Sequence, residues 1–287
     1  MNRLKIIGIG ELVWDMLPSG RQLGGAPVNF AYWCNRLGAA GYPVSAVGND
    51  EPGQTALAVL AQTGLVLDHI QQNARPTGRV DVTLSGDGIP QYDIIEGVAW
   101  DPLTATAATR KLAATADALC WGTLAQRSEA SHRAITSLLE AAKPGCLKVF
   151  DINIRQPWYS REIILDSLEK ADVLKLNEDE LPLLSSLLDL QADGEEAIAR
   201  LGKAFALKYV IYTAGASHSE IHTVEGLVSR LATPKVKVVD TVGAGDSFSA
   251  AFITSLLQGE DLPTCHRKAV ETAAMVCTLH GAIPRTL

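Results

Sequence analysis

The sequence lacks a cluster of basic residues, a closely spaced pair of cysteines and an apolar run of the roughly 18 residues that a membrane span needs. Its 287 residues carry a formal net charge of -7, which argues against a nucleic-acid partner. The five cysteines are odd in number and widely spaced, which indicates reduced thiols and neither zinc binding nor redox work. The first strand-like run begins at Leu4, so we expect no signal peptide before it. These absences predict a cytoplasmic protein with no membrane partner.

Short strand-like runs alternate with stretches of helical periodicity along most of the chain. The clearest predicted strands cover residues 4–10, 118–121, 147–152, 173–176 and 209–213, and the clearest helices cover 131–142, 161–170 and 195–206. This alternation predicts an α/β fold whose mainly parallel sheet is covered by helices on both faces. Such sheets bind ligands at the carboxyl ends of their strands.

One segment departs from this alternation. Val80, Val82 and Leu84 alternate with polar residues, residues 86–88 have turn character, and residues 92–95 are again mostly apolar. The pattern predicts an antiparallel hairpin with one apolar face. Because an isolated hairpin is only marginally stable, we expect that face to cover another part of the molecule.

The most informative motif lies near the C-terminus. Asp240 and Thr241 precede residues 243–245, Gly-Ala-Gly, and Asp246 follows where helical periodicity begins. A helix N-terminus offers unpaired N–H groups to an anion, and glycines allow a phosphate to approach them closely. Asp246 beside such a site could take a proton from a hydroxyl that attacks the phosphate. The ordinary alternative is an aspartate that only caps the helix.

Further polar motifs follow other predicted strands. Residues 24–29 open a helix with Gly-Gly-Ala-Pro-Val-Asn, and residues 151–155 read Asp-Ile-Asn-Ile-Arg. Alternate residues at a strand end point the same way, into the expected crevice. Asn177 and Glu180 have the spacing of a capping box, and Thr213 and Gly215 end another strand. Each motif has a structural alternative: a loop, a surface ion-pair cluster or a helix cap.

Taken together and in this order, these motifs closely resemble the PfkB, or ribokinase-like, family of sugar kinases. The resemblance covers nearly the whole chain. It implies a three-layer α/β/α fold with a mainly parallel sheet and a small antiparallel β lid. It also implies that residues 1–287 form a single kinase domain, with a discontinuous lid from about 11–23 and 72–99. The lid often forms the dimer contact in the family, so the chain could pair as a homodimer.

The resemblance assigns roles residue by residue. Asp246 is the catalytic base, and Gly243, Ala244, Gly245 and Arg155 stabilise the transferring phosphoryl group. The residues that it places on the sugar are Asp15, Gly24, Gly25, Asn29 and Asn153. Those that it places on ATP are Thr213, Gly215, Gly243, Gly245, Ala273 and Cys277. The last two lie on a C-terminal helix that the sequence predicts to end at Gly281. His218 stands where the family usually has a second glycine in the nucleotide loop.

Two cations are implied in the same way. Asn177 and Glu180 would help to hold Mg²⁺, partly through water, because magnesium keeps several waters in proteins. Asp240, Val242 and Gly281 correspond to a family segment that binds a monovalent cation, which would be K⁺. His218 and His222 share a strand face, but no third metal ligand is evident beside them.

The closest subfamily is the bacterial fructokinases, on residues 98–101, 122–127 and 175–178. The resemblance therefore implies phosphorylation of the primary hydroxyl of an unphosphorylated sugar by ATP, with fructose as the acceptor. Alternatives of the same fold are kinases for 2-keto-3-deoxygluconate, ribose or a nucleoside. A non-catalytic sugar-binding regulator is a further alternative, which the intact Asp246 disfavours.

Overall fold

The structure is a computed structural model that describes residues 3–17, 20–84, 90–155 and 157–284. Strands form two sheets within these residues. Their bounds are β1 (Lys5–Ile9), β2 (Val13–Leu17), β3 (Gly20–Gly24), β4 (Ala40–Gly48), β5 (Ile70–Asn73), β6 (Gly78–Leu84), β7 (Pro90–Ile94), β8 (Ala118–Trp121), β9 (Leu147–Asp151), β10 (Val173–Asn177), β11 (Tyr209–Ala214), β12 (His218–Thr223) and β13 (Gly226–Ala232).

Helices connect most of these strands. Their bounds are α1 (Ala26–Arg36), α2 (Glu51–Ala61), α3 (Ala107–Ala113), α4 (Glu129–Ala141), α5 (Arg161–Lys170), α6 (Glu180–Leu187), α7 (Gly194–Ala204), α8 (Ala244–Leu257) and α9 (Leu262–Val276). Side chains that accept a backbone N–H mark the start of several helices: Asp50 for α2, Ser128 for α4, Ser160 for α5 and Asp261 for α9.

The large sheet has the strand order β13-β12-β11-β10-β9-β8-β1-β4-β5. All its neighbouring strands pair in parallel except β11 with β12 and β12 with β13, which pair antiparallel. The predicted mainly parallel sheet is confirmed. The carboxyl ends of its central strands therefore lie along one edge, where residues 151–155 and 177–180 follow β9 and β10.

Helices cover both faces of this sheet, so that two hydrophobic cores form. Ile6 of β1 packs in one core with residues of α1, α2, α8 and α9, whereas Ile7 and Ile9 pack in the other with residues of α3 to α7. Successive strand side chains point to opposite faces, which explains the alternation. In the described part of the chain, every helix is too short or too polar to cross a lipid bilayer.

The small sheet has the order β3-β2-β6-β7. The β2–β3 and β6–β7 pairs are antiparallel, and one parallel pair, β2 with β6, joins the two hairpins. Val80 and Ile94 pair across the second hairpin and are both buried, as expected for a face that covers something. The turn predicted at residues 86–88 lies outside the described residues.

One helix boundary was predicted wrongly. The sequence indicated a C-terminal helix that ends at Gly281, but α9 ends at Val276 and Cys277 forms its cap. The carbonyl of Cys277 accepts the N–H groups of Val239 and Asp240 from the preceding loop. The chain therefore leaves the helix early, and residues 277–283 pack beside the loop that leads into α8.

Candidate functional site

A cavity of about 1160 Å³ lies between the small sheet and the carboxyl edge of the large sheet. Val80, Tyr92 and Ile94 of the small sheet form part of its wall, so the apolar face of the hairpin covers this cavity. Most of the predicted site residues line it: Asp15, Gly25, Asn29, Asn153, Arg155, Asn177, Thr213, Gly215, Val242, Gly243, Ala244, Gly245, Asp246, Ala273 and Cys277. Gly24, Glu180, Asp240 and Gly281 lie next to lining residues.

Asp246 lies in the first turn of α8 and faces the cavity. Its Oδ2 accepts a hydrogen bond of 2.8 Å from Asn29 Nδ2 of α1, a residue 217 positions away in the sequence. Burial raises the pKa of Asp246 to about 6, and the neighbouring Asp151 carboxylate adds to the rise. A carboxylate with a raised pKa is a stronger base, as a proton acceptor near neutral pH should be.

The glycines before Asp246 are required by the backbone. Gly243 has a φ of 80°, a left-handed conformation, and a Cβ there would lie 2.4 Å from Ala282 Cβ. This conformation turns the chain directly into α8, so the residues of its first turn line the cavity. The amides of that turn and the helix dipole attract an anion. The predicted anion site is therefore next to the predicted base.

A buried ion pair lies beneath these amides. Lys175 Nζ is 3.2 Å from Asp151 Oδ1, and each side chain is 7% exposed. Burial alone would lower the pKa of Lys175, but the carboxylates of Asp151, Glu180 and Asp246 raise it, so the ammonium group stays charged. A Cβ on Gly245 would lie 3.1 Å from Lys175 Nζ. The floor of the anion site therefore carries a fixed positive charge.

Carboxyl groups dominate the end of the cavity below the small sheet. Burial raises the pKa of Asp15 to about 6, while Arg155 opposes the rise. Burial raises the pKa of Glu11, on the loop after β1, to about 7. A Cβ on Gly24 would lie 3.3 Å from Asp15 Oδ2, and a Cβ on Gly25 would lie 2.3 Å from the Glu11 carbonyl oxygen. The two glycines thus allow the chain to pass close to both acidic residues.

Asn153 and Arg155 follow β9 into the same cavity. Asn153 has a φ of 42°, a left-handed conformation that is uncommon for a residue with a side chain. Arg155 is exposed and donates a hydrogen bond to the carbonyl of Ile154. Its guanidinium group remains able to bind a phosphoryl oxygen bidentately.

The capping box at the start of α6 forms as the spacing indicated. Asn177 Oδ1 accepts the N–H groups of Asp179 and Glu180, and Glu180 Oε2 accepts the N–H of Asn177. Glu180 Oε1 accepts the N–H of Ile154, so both of its oxygens bind backbone amides. The side chains of Glu178 and Asp179 lie beside Asn177 on the cavity wall.

The segment from Asp240 to Val242 is joined to the C-terminal loop. Asp240 Oδ1 accepts the N–H of Val242 and Asp240 Oδ2 accepts the N–H of Gly281, both at 3.0 Å. The three residues proposed for a monovalent cation are thus brought together behind the anion site. Backbone carbonyl oxygens are the kind of ligand that such a cation takes.

The nucleotide end of the cavity consists mainly of loops and helix surface. Thr213 and Gly215 lie at the end of β11, and Ala273 and Cys277 lie on one side of α9. His218 lines this end, with its Nε2 3.0 Å from Glu220 Oε1, while His222 Nε2 is 2.6 Å from Glu220 Oε2. The two histidines therefore flank one carboxylate. Among the described residues, no group of three or more His, Cys, Asp or Glu side chains could hold a metal ion.

Lys175 and Glu11 were not among the predicted site residues. Lys175 is the charged residue within an otherwise apolar strand, Val173-Leu174-Lys175-Leu176. Since a buried charge must be paired, that position was a recognisable signal of a polar partner. Glu11 gave no comparable signal, because it follows a strand as many surface glutamates do.

Several known proteins are similar to this chain over most of its length. Residues 19–286 match the model of the pfkB family of carbohydrate kinases. A fructokinase of Escherichia coli is 29% identical, with 88% of this chain and 84% of that protein covered. Fructokinase-1 of Zea mays is 28% identical, with 97% of this chain and 93% of that protein covered.

Solved structures show the same fold. A fructokinase of Xylella fastidiosa with bound ATP has a TM-score of 0.84 and 23% identity, over 97% of this chain and 94% of that chain. A ribokinase-like protein of Escherichia coli in complex with ATP and Mg²⁺ also has a TM-score of 0.84 and 23% identity, over 99% of this chain and 95% of that chain. The ribokinase-like fold predicted from the sequence is confirmed, and the chain belongs to the pfkB family of carbohydrate kinases.

Proposed function

We propose that the protein transfers the γ-phosphoryl group of ATP to a primary hydroxyl of fructose. The observation that carries this proposal is the position of Asp246, which Asn29 holds in the first turn of α8, next to the glycines that line the cavity. Phosphoryl transfer to a hydroxyl needs a base and an anion site in this arrangement. The relatives named fructokinase support fructose as the acceptor.

The transfer is a single displacement. The acceptor hydroxyl gives its proton to a carboxylate oxygen of Asp246, and the hydroxyl oxygen forms a bond to the γ-phosphorus. The bond from that phosphorus to the β–γ bridging oxygen breaks, and ADP leaves with the electron pair. Asp246 then returns the proton to solvent. The Asn29 amide keeps one carboxylate oxygen oriented throughout.

Negative charge spreads over the phosphoryl oxygens during this step. The amides of residues 243–245 would stabilise this charge with little reorganisation, because the turn already sets their direction. In the structure the N–H of Ala244 donates to the carbonyl of Thr241 at 3.2 Å, so that amide would share its hydrogen between two acceptors. Lys175, below Gly245, adds a fixed positive charge, and Arg155, just after β9, lines the same cavity. Both side chains reach the cavity from the carboxyl edge of the sheet.

Two cations complete the proposed site. Mg²⁺ would be held by the phosphates and, through water, by Asn177 and Glu180, whose carboxylate and amide oxygens already accept backbone N–H groups. It would neutralise charge on the phosphates. K⁺ would be bound by the segment of Asp240 and Val242 together with Gly281, and would fix the direction of the neighbouring amides.

An unphosphorylated acceptor fits the charges below the small sheet. Glu11, Asp15 and Asp246 line that part of the cavity, and the positive charge of Arg155 acts on Asp15. Arg21 could have added a second cation, but its Nη2 pairs with Glu51 Oε1 at 2.8 Å and its guanidinium group lies 4.8 Å from the ring centre of Trp14. It is held on the outside of the sheet.

We infer further that residues 1–287 act as one kinase domain and that the small sheet is its lid. Met16 and Tyr92 on this sheet are 40% and 55% exposed, which suits a homodimer contact through the lid. The five cysteines are free thiols. Reduced thiols and a need for ATP both favour the cytoplasm as the site of action.

A substrate panel with detection of ADP tests the proposal. We expect fructose to have the highest kcat/KM among fructose, fructose 6-phosphate, ribose, 2-keto-3-deoxygluconate and a nucleoside. Fructose 6-phosphate should be poor, because about two extra negative charges would meet Glu11 and Asp15. A better rate with another acceptor would reassign the substrate, and no ADP with any acceptor would favour a sugar-binding regulator.

A further inference from the structure

Glu11 takes part in no step of the reaction described above, yet its carboxyl group is buried in the cavity wall, which is energetically unfavourable. It follows β1 at the carboxyl edge of the large sheet, lines the cavity and is 3% exposed. Burial raises its pKa to about 7, and the nearby Asp246 carboxylate adds to that rise. A carboxyl group in such a place costs free energy unless its oxygens find partners.

One of its two oxygens has a partner and the other does not. Glu11 Oε1 accepts the N–H of Ala26, the first residue of α1, at 3.1 Å. Glu11 Oε2 is buried and has no hydrogen-bond partner among the described residues. Because the bond to Ala26 fixes the carboxyl group, Oε2 cannot turn away to another donor without losing that bond.

Two other residues that line the cavity also have a buried acceptor oxygen without a hydrogen-bond donor in the described structure. Asn29 Oδ1 and Gln22 Oε1 also have no hydrogen-bond partner within the described parts of the chain. The Nδ2 of the same Asn29 amide donates to Asp246, so one of these acceptors lies next to the reacting group. Buried polar atoms are normally paired, and a molecule with several hydroxyl donors would pair all three.

We propose that Glu11 is a sugar-binding residue whose Oε2 receives a hydroxyl of the acceptor and so holds the sugar beside Asp246. This inference rests on the proposed sugar kinase activity and assigns a residue of the acceptor site. The bound hydroxyl is one other than the hydroxyl that is phosphorylated, since Asp246 takes the proton of the latter. Glu11 thus binds and orients the acceptor and transfers no proton.

The alternative is that Glu11 only caps α1 through Ala26. Glu11→Gln separates the two roles, because the amide oxygen can still accept the N–H of Ala26 while an NH₂ group replaces the free oxygen. If Glu11 binds the sugar, KM for fructose should rise about tenfold, which corresponds to about 1.4 kcal/mol. KM for ATP should stay within about twofold of the wild-type value.

Asp261→Asn is the matched control, because Asp261 Oδ1 caps α9 by accepting the N–H of Thr264 at 2.7 Å and does not line the cavity. It should leave KM for fructose unchanged. Calorimetric titration with fructose should show the same weakening for Glu11→Gln without turnover. Thermal unfolding of both variants should confirm that they are folded.

The outcomes separate this inference from the proposed function. If the wild type phosphorylates fructose and Glu11→Gln has normal KM and normal fructose affinity, Glu11 is a cap only and the inference is wrong. If the wild type prefers another hydroxylated acceptor, fructose is wrong, and the same comparison with that acceptor decides the role of Glu11. If the wild type neither phosphorylates nor binds any of these acceptors, both proposals fail.

Discussion

The two ends of the cavity differ in the kind of structure that forms their walls. At the acceptor end, side chains on or next to regular elements face the ligand: Glu11 and Asn29 are buried, and Asp15 and Asp246 are half-buried. At the nucleotide end, residues 233–242 form an exposed loop without strand or helix, and its valines 236, 238, 239 and 242 are 37% to 58% exposed. One end offers fixed carboxyl and amide groups, and the other offers mainly backbone and apolar surface.

This difference separates two tasks. Recognition of a sugar needs hydrogen-bond partners in fixed positions, and burial keeps those side chains in place. Binding of a nucleotide here relies on the amides of a helix N-terminus and on loops that enclose the rest of the ligand. We therefore expect substitutions at the acceptor end to act through single side chains. At the nucleotide end we expect effects that depend on how the loops are held.

The largest expected effect comes from the base itself. Asp246→Asn should lower kcat by at least about 100-fold, because the amide cannot take the hydroxyl proton while its shape and its contact with Asn29 are kept. ATP affinity, measured by titration, should change little. Since the pKa of Asp246 is about 6, wild-type activity should also fall as the pH drops below 6. A variant with near-normal kcat would remove Asp246 from the mechanism.

Lys175 lies where the two ends meet and should give the next largest effect. Lys175→Met removes the positive charge below Gly245, and we expect kcat to fall by roughly 10- to 100-fold through the loss of preorganised charge stabilisation. The same change leaves Asp151 as an unpaired buried carboxylate. That should lower the free energy of unfolding by about 3–5 kcal/mol.

A double variant distinguishes catalysis from stability at this position. Lys175→Met combined with Asp151→Asn removes both charges of the buried pair, so most of the stability should return. The kcat value should stay low if Lys175 acts on the phosphoryl group. Recovery of kcat together with the melting temperature would show that Lys175 only supports the fold.

The same contrast explains what could be predicted from the sequence. Periodicity predicted the parallel sheet and its helices, and the motif at residues 243–246 indicated the anion site, because local backbone geometry requires glycines there. The pairing of Asn29 with Asp246 was not predictable, since 217 residues separate them and only the packing of α1 against α8 brings them together. Beside that pair, Glu11 and Asn29 each have an oxygen without a partner in the described parts of the chain, and only the folded structure reveals this.

The helix end at Val276 was missed for a related reason. Gly281 resembles a helix stop, but the carbonyl oxygen of Cys277 accepts hydrogen bonds from the N–H groups of Val239 and Asp240, which lie far away in the sequence. Tertiary hydrogen bonds thus override the local signal. This wrong boundary lies at the nucleotide end, where segments distant in the sequence are joined by hydrogen bonds.

Adding potassium should have the smallest of these effects on kcat, and it tests how the loops at the nucleotide end are held. Asp240 joins Val242 to Gly281 through both carboxylate oxygens, so part of the loop is already ordered without a cation. We therefore expect K⁺ to raise kcat only a few-fold over a bulky organic cation at equal ionic strength. The reason is that a bound cation would fix the carbonyl groups of this loop and, with them, the amides of residues 243–245.

Asp240→Asn sharpens this test, because the amide keeps one oxygen for the N–H of Gly281 but cannot accept from Val242 as well. The variant should lose much of its activity in the organic cation, and K⁺ should restore a larger fraction than it adds to the wild type. Asp50→Asn, at the start of α2 and outside the cavity wall, is the control and should respond to K⁺ as the wild type does. Equal rates in both salts for every protein would mean that Asp240 alone holds the loop, and the predicted cation site would be withdrawn.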